Sequence, residues 1–205
     1  MAKPPAKKTA VSQFLAEVKS HPVGKPEAKR LIFAMDATAS REATWDLAAH
    51  LHAEMFTAAQ ASRLSIQLAY FRGFNEFYAS AWQQTPHELL DLIQSVRCRS
   101  GTTQIERVLT HAKAEAVRSA VKAVVYIGDC CEEPPDRLYK AAGALGVQGV
   151  PVFVLQEGDD PVASQVFPEI ARLSRGAHMP FAQHSTESLR ELLAAIGTFV
   201  SEGRA

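Results

Sequence analysis

The sequence predicts an α/β fold: a Rossmann-like, doubly wound, mostly parallel sheet of about six strands, with one antiparallel edge strand and helices on both faces. Two observations lead there. Short continuous apolar runs, at Leu31–Asp36 (LIFAMD) and Val121–Gly128 (VKAVVYIG), have the composition of strands buried on both faces. Amphipathic helical stretches separate such runs along nearly the whole chain, the pattern of a parallel sheet joined by right-handed crossovers.

The elements follow in order. Val11 to Ser20 has an apolar face of Val11, Phe14, Leu15 and Val18 and reads as a short helix, set apart by the breaker HPVGKPE. After the strand ending at Asp36, a helix is expected from Glu42 to Ala59, with Trp45 in the core. Leu64 to Arg72 is a strand, and Gly73 permits a tight turn into Phe74 to Trp82, an antiparallel hairpin with aromatic residues on both its faces. Pro86 to Val96 is a helix with proline in its first turn, and RCRSGTT is a loop before a helix over Gln104 to Ala120. The strand at Val121–Gly128 precedes a helix opened by Pro134 and Pro135 and running to about Leu145. Val150 to Gln156 is a strand, Asp160 and Pro161 start a helix to about Leu173, Ala177 to Phe181 is a short strand, and Ser185 caps a last helix, Thr186 to Val200.

The 205 residues suit one such domain. Residues 1–24 are expected to be a basic, disordered tail with the short helix, and residues 25–205 the domain. Lys plus Arg equals Asp plus Glu at 22 each, which removes any electrostatic basis for nucleic acid or an anionic membrane as partner. The opening MAKPPAKKTA lacks the apolar stretch of a signal peptide, and no apolar run approaches the ~20 residues of a membrane span. The three cysteines include an adjacent pair, Cys130 and Cys131, a spacing of neither a structural zinc site nor a disulfide framework. A reducing cytoplasm is the expected location. The seven histidines form no HExxH, and no GxxxxGK[ST] or GxSxG occurs. Gly143, Gly146 and Gly149 follow a helix and precede a strand, the wrong order for a dinucleotide fingerprint.

In an open parallel sheet, ligands sit beyond the carboxyl ends of strands where the strand order reverses. The polar clusters after buried strands are therefore the ones to weigh: DATAS after the first and GDCCEE after the middle one, with SGTT on a loop before a helix. DATAS sets Asp36, Thr38 and Ser40 at alternate positions, so three oxygens can share a side. Such a set suits a hard cation, magnesium or manganese, and Thr103 and Asp129 can complete the ring. Taken singly, each residue also suits an N-cap or a turn.

With these motifs the chain resembles the von Willebrand factor A family, whose metal-ion-dependent adhesion site combines Asp-x-Ser-x-Ser with a distant Thr and a distant Asp. The first motif stands here as Asp36-Ala-Thr38-Ala-Ser40. The second, Gly-Gly-Thr-x-Ile-x-x-x-Leu in the family, stands as Gly101-Thr102-Thr103-Gln104-Ile105 with Leu109 in the later apolar position, and the third as VVYIGD ending at Asp129. The match covers roughly residues 30–200. Thr38 replaces a serine, and Thr102 replaces a glycine and offers a competing hydroxyl, whereas Thr103 keeps the register with Ile105 and Leu109.

The resemblance implies an intracellular, non-enzymatic protein-interaction module. Its Mg2+ or Mn2+, held by Asp36, Thr38, Ser40, Thr103 and Asp129, would be completed by a carboxylate from a protein partner, with an AAA+ ATPase as a family-level candidate. An alternative is a magnesium-dependent phosphatase of the haloacid-dehalogenase type, which also places aspartates after two buried strands. That chemistry needs a second acid two residues after the nucleophile, where this chain has Thr38. A purely structural metal site is the other alternative. Around the site, Glu132 and Glu133 can accept from metal-bound water or simply favour the dipole of the helix they precede. Arg41 can orient a partner carboxylate or lie exposed. A thiol beside these carboxylates is expected to hold its proton more tightly.

Overall fold

In the computed structural model, residues 29–42, 64–181 and 200 are described. The N-terminal tail and helix, nearly all of the helix expected after Glu42 (with Trp45, His50 and His52), and the last helix except Val200 lie outside them. Six strands form one sheet: β1 Lys29–Asp36, β2 Leu64–Arg72, β3 Glu76–Ala79, β4 Val121–Gly128, β5 Val152–Glu157 and β6 His178–Phe181. Their order is β3-β2-β1-β4-β5-β6, with β3 antiparallel at one edge and all other pairs parallel. This is the α/β architecture the sequence predicts.

The period-two geometry of β1 explains the layers. Leu31, Phe33 and Met35 point to one face, where they meet Leu89 and Ile93 of helix α1 (Pro86–Ser95), Val96 just after it, and Val200. Ile32 and Ala34 point to the other, covered by α2 (Ile105–Arg118), α3 (Pro135–Val147) and α4 (Ala163–Ser174). A strand buried on both faces needs apolar residues at every position, which is why LIFAM is unbroken.

Local chemistry sets the helix starts. Thr85 accepts from the Glu88 amide at 3.4 Å, with Pro86 in the first turn. Asp160 Oδ1 accepts from the Ala163 amide at 2.7 Å, and its carbonyl accepts from Ser164, so Asp160 caps α4 as its sequence suggests. Helix α2 has no side-chain cap of its own, because Gln104 takes none of its first-turn amides and accepts from the Arg107 guanidinium instead. Glu133, from the loop after β4, accepts instead from the Ile105 and Glu106 amides. The carboxylate thus serves the N-terminus of α2 rather than the helix it precedes.

The hairpin strand β3 is shorter than the expected Phe74 to Trp82. Gly73 (φ 59°) and Asn75 (φ 75°) adopt left-handed backbone conformations, which ends the ladder at the Arg72–Glu76 pair. Phe74, at the tip, is 80% exposed. On the far side, Gln83 makes only an isolated bridge to Ile66. Gly101 packs directly on this turn: a Cβ there would lie 2.0 Å from the Gly73 carbonyl oxygen, so the loop before α2 seats against the hairpin only with glycine at this position.

Two stability outcomes follow. Glu133→Ala is expected to lower the unfolding free energy in urea by about 1–3 kcal/mol, the loss of charge-assisted bonds to two amides. A carboxylate merely near its own helix terminus would cost about 0.3–1 kcal/mol. Gly101→Ala is expected to cost about 1–3 kcal/mol in the same measurement, because backbone must move to admit the methyl group.

Candidate metal centre

Parallel pairing of β1 with both β2 and β4 makes β1 the central strand, and chain order reverses between β1 and β4. The carboxyl ends of these two neighbours therefore form the switch-point crevice. Asp36 is the last residue of β1, and Asp129 directly follows β4. The fold brings them together: carboxylate oxygens of Asp36 and Asp129 and the Cys130 sulfur all lie within 4.8 Å of one another.

Asp36 is fully buried. Its Oδ1 accepts from the Thr38 amide at 2.7 Å, a turn that carries the chain off the strand and puts Thr38 beside it. The Thr38 and Ser40 hydroxyls lie 3.1 Å apart. A cleft of about 270 Å³ opens above, lined by Thr38, Ala39, Ser40, Ser100, Gly101, Cys130 and Glu132. Among the described residues no donor reaches Asp36 Oδ2 or Asp129 Oδ1, although both atoms are buried. Burial pushes the Asp36 carboxyl up to about 6, with the Asp129 charge adding to the rise and the Thr38 hydrogen bonds opposing it. Burial, then the carboxylates of Asp129 and Asp36, likewise raise the Cys130 thiol.

Thr103 does not line this cleft but is tied to Glu132, which does. Its amide donates to Glu132 Oε2 at 2.9 Å, and its hydroxyl accepts from the Glu132 amide at 3.0 Å. This reciprocal pair holds the loop before α2 to the loop after β4. Thr103 is buried, whereas the competing Thr102 is exposed. The hydroxyl of Thr103 keeps a second lone pair for another partner.

Arg41 is neither exposed nor facing the cleft. It is 1% exposed, pairs with Glu157 at 3.0 Å and donates to the Ile127 carbonyl at 3.2 Å. One guanidinium thereby joins the DATAS loop to the ends of β4 and β5. Bonds from Ala37 to the Phe71 carbonyl and from Arg99 to the Ala37 carbonyl tie the same loop to β2 and to the segment before α2.

Three features were not read from the sequence: the inward thiol of Cys130, the buried pairing of Arg41 and the remote capping by Glu133. Only the adjacency of Cys130 to Asp129 hinted at the first. Partners of Arg41 and Glu133 are distant in sequence, so spacing carried no signal for them.

The chemistry of this edge fits a divalent cation. Asp36 and Asp129 each keep a buried carboxylate oxygen that no donor among the described residues reaches, the Thr38 and Ser40 hydroxyls line the cleft beside them, and a cation with oxygen ligands is what satisfies such a set.

No protein-family model matches the sequence, and no curated protein matches it either. Solved structures do resemble the chain. An aerotolerance-related membrane protein from Bacteroides fragilis superposes with a TM-score of 0.65 at 16% identity, over 84% of this chain and 98% of that one. The SpRpn10 VWA domain gives 0.63 at 14% identity, over 81% and 94%. Proximal thread matrix protein 1 from the mussel byssus, solved with a zinc-occupied MIDAS motif, gives 0.64 at 15% identity, over 82% of this chain but 45% of its own length. With the strand order and the antiparallel edge strand, these likenesses establish that the chain has the von Willebrand factor A fold.

Proposed function

We propose that this chain is a protein-interaction module that binds a divalent cation through Asp36, Thr38, Ser40, Thr103 and Asp129 and offers the open coordination position to a carboxylate of a protein partner. The observation that carries this reading is the pair of buried carboxylate oxygens, on Asp36 and Asp129, that no donor among the described residues reaches. The five oxygen ligands suit magnesium or manganese. Burial of Thr103 and its tie to Glu132 favour it over Thr102 as the ligand. The mussel protein, which shares this fold and was solved with a zinc-occupied MIDAS motif, supports the reading of a dication site.

When bound, the cation would supply electrostatic attraction for an anionic group. Asp36 and Asp129 would fix it, and the Thr38 and Ser40 hydroxyls would orient it without cancelling its charge. Arg41 and Glu157 would hold the loop in place from below. Binding rather than turnover is the reading because position 38 is a threonine: a hydroxyl can ligate a metal but cannot protonate a leaving group at neutral pH. No helix among the described residues is long and apolar enough to cross a membrane. The three free cysteines suit a reducing, cytoplasmic setting, where an AAA+ ATPase is one class of candidate partner.

Affinity capture with the full chain in magnesium and in chelator tests this. A specific partner is expected in magnesium and not in chelator, and Asp129→Ala should lose it in both. The same partners with and without the metal would overturn the reading, as would magnesium-dependent hydrolysis of a phosphate ester that Asp36→Ala abolishes.

The metal-free protein carries a pH signature. Because the folded-state carboxyl of Asp36 lies near 6 against 3.8 when unperturbed, the folded chain holds a proton that the unfolded chain has lost. Stability in chelator should therefore fall as pH rises from about 4 to above 6, by on the order of 3 kcal/mol. Asp36→Asn should remove that fall, and magnesium should restore stability to the wild type but not to the variant.

A further inference from the structure

The adjacent cysteines face opposite ways. Cys131 is buried in the core under α2, α3 and α4, where its thiol donates to the Glu133 carbonyl at 3.8 Å. Cys130 lines the cleft, and its sulfur belongs to the cluster with the Asp36 and Asp129 oxygens, all within 4.8 Å of one another. Asp36 in this cluster is fully buried with Oδ2 reached by no donor among the described residues. Three ligands that share one ion at about 2.0–2.3 Å lie roughly 3.3–4.0 Å from one another. Atoms already within 4.8 Å of one another reach that arrangement by inward shifts of under about 1 Å.

We propose that Cys130 is a third anionic ligand of this site, and that through it zinc or another borderline dication displaces magnesium, with Asp36 and Asp129 as the carboxylate ligands. This rests on reading the edge as a cation site. Magnesium is hard and gains nothing from sulfur, whereas zinc and cobalt accept thiolate and carboxylate together. The thiol proton passes to solvent as the metal–sulfur bond forms, and no atom changes oxidation state; a coordinated thiol is deprotonated outright by the ion's charge. Two carboxylates and one thiolate leave a fourth position facing the cleft, where Thr38, Ser40, water or a partner's anionic group can enter.

Cobalt(II) titration of the full chain under reducing conditions reads the sulfur directly. A thiolate-to-cobalt charge-transfer band is expected in the near ultraviolet, lost in Cys130→Ser. It should persist in the double variant Cys98→Ser, Cys131→Ser, which retains Cys130 alone. Zinc, added in competition, should bind Cys130→Ser at least roughly 100-fold more weakly than wild type, since loss of a group that only supports a ligand already costs about 10- to 100-fold. Circular dichroism checks that Cys130→Ser is folded. Cobalt uptake without the band, or equal zinc affinity in Cys130→Ser, overturns the role of Cys130 and leaves the oxygen-ligand site intact. A chain that takes up neither cobalt nor magnesium overturns both.

Discussion

Strands β1 and β4 run parallel and side by side, so both end at the same edge and deliver Asp36 and Asp129 to one point. Two carboxylates at that separation repel by roughly 3 kcal/mol at an effective dielectric of ~20, and burial adds the cost of desolvating Asp36. Sheet pairing over the length of β1 fixes this proximity, and the loops around it have little freedom to relieve it. Two events relieve the arrangement: Asp36 takes up a proton, or a cation enters. The raised affinity of Asp36 for a proton and the suitability of the edge for a dication are two expressions of the same constraint.

Rigidity around that point comes from polar links between loops remote in sequence. Arg41 joins the DATAS loop to β4 and β5, the Thr103–Glu132 pair joins the loop before α2 to the loop after β4, and Glu133 adds a second tie to the first turn of α2. A site assembled from three segments needs such cross-links, because each segment alone could turn its ligands elsewhere. Pre-set ligands lower the ordering cost of binding an ion.

Much of this was legible in the sequence because it depends on local chemistry. The unbroken apolar run before Asp36 identified a central strand, and alternation of elements identified the sheet. The positions Asp36 and Asp129 followed from the rule that polar residues after buried strands gather at one edge. The end of β3 was less legible, since left-handed conformations at Gly73 and Asn75 depend on how the turn closes. Arg41 was misjudged between two exposed roles, because its partner, Glu157, lies at the end of a strand more than a hundred residues away. For Glu133 the sequence offers metal-bound water, a basic partner group or the dipole of the nearer helix, and none of these is the amide pair it serves. Sequence proximity favours that helix, but the first amides of α2 had no cap of their own and were the stronger attraction.

Asp36, Asp129, Glu132, Glu133 and Glu157 lie at or beside this edge, and their different partners explain why one spot among the described residues suits a cation. Glu157 is balanced by the Arg41 guanidinium, Glu133 by two amides at the start of α2, and Glu132 by the Thr103 amide. Asp36 and Asp129 each keep a buried oxygen that no donor among the described residues reaches. Negative charge that the fold has not already compensated is therefore concentrated between these two residues, under a cleft rimmed by hydroxyls and one thiol. The acids used for construction surround the acids left free for binding, and they keep a cation from being drawn to the periphery by occupying their own carboxylates with amides and a guanidinium. For a cation held there, selectivity among metals would fall to the neutral and soft atoms on the rim, because two carboxylates attract any dication alike.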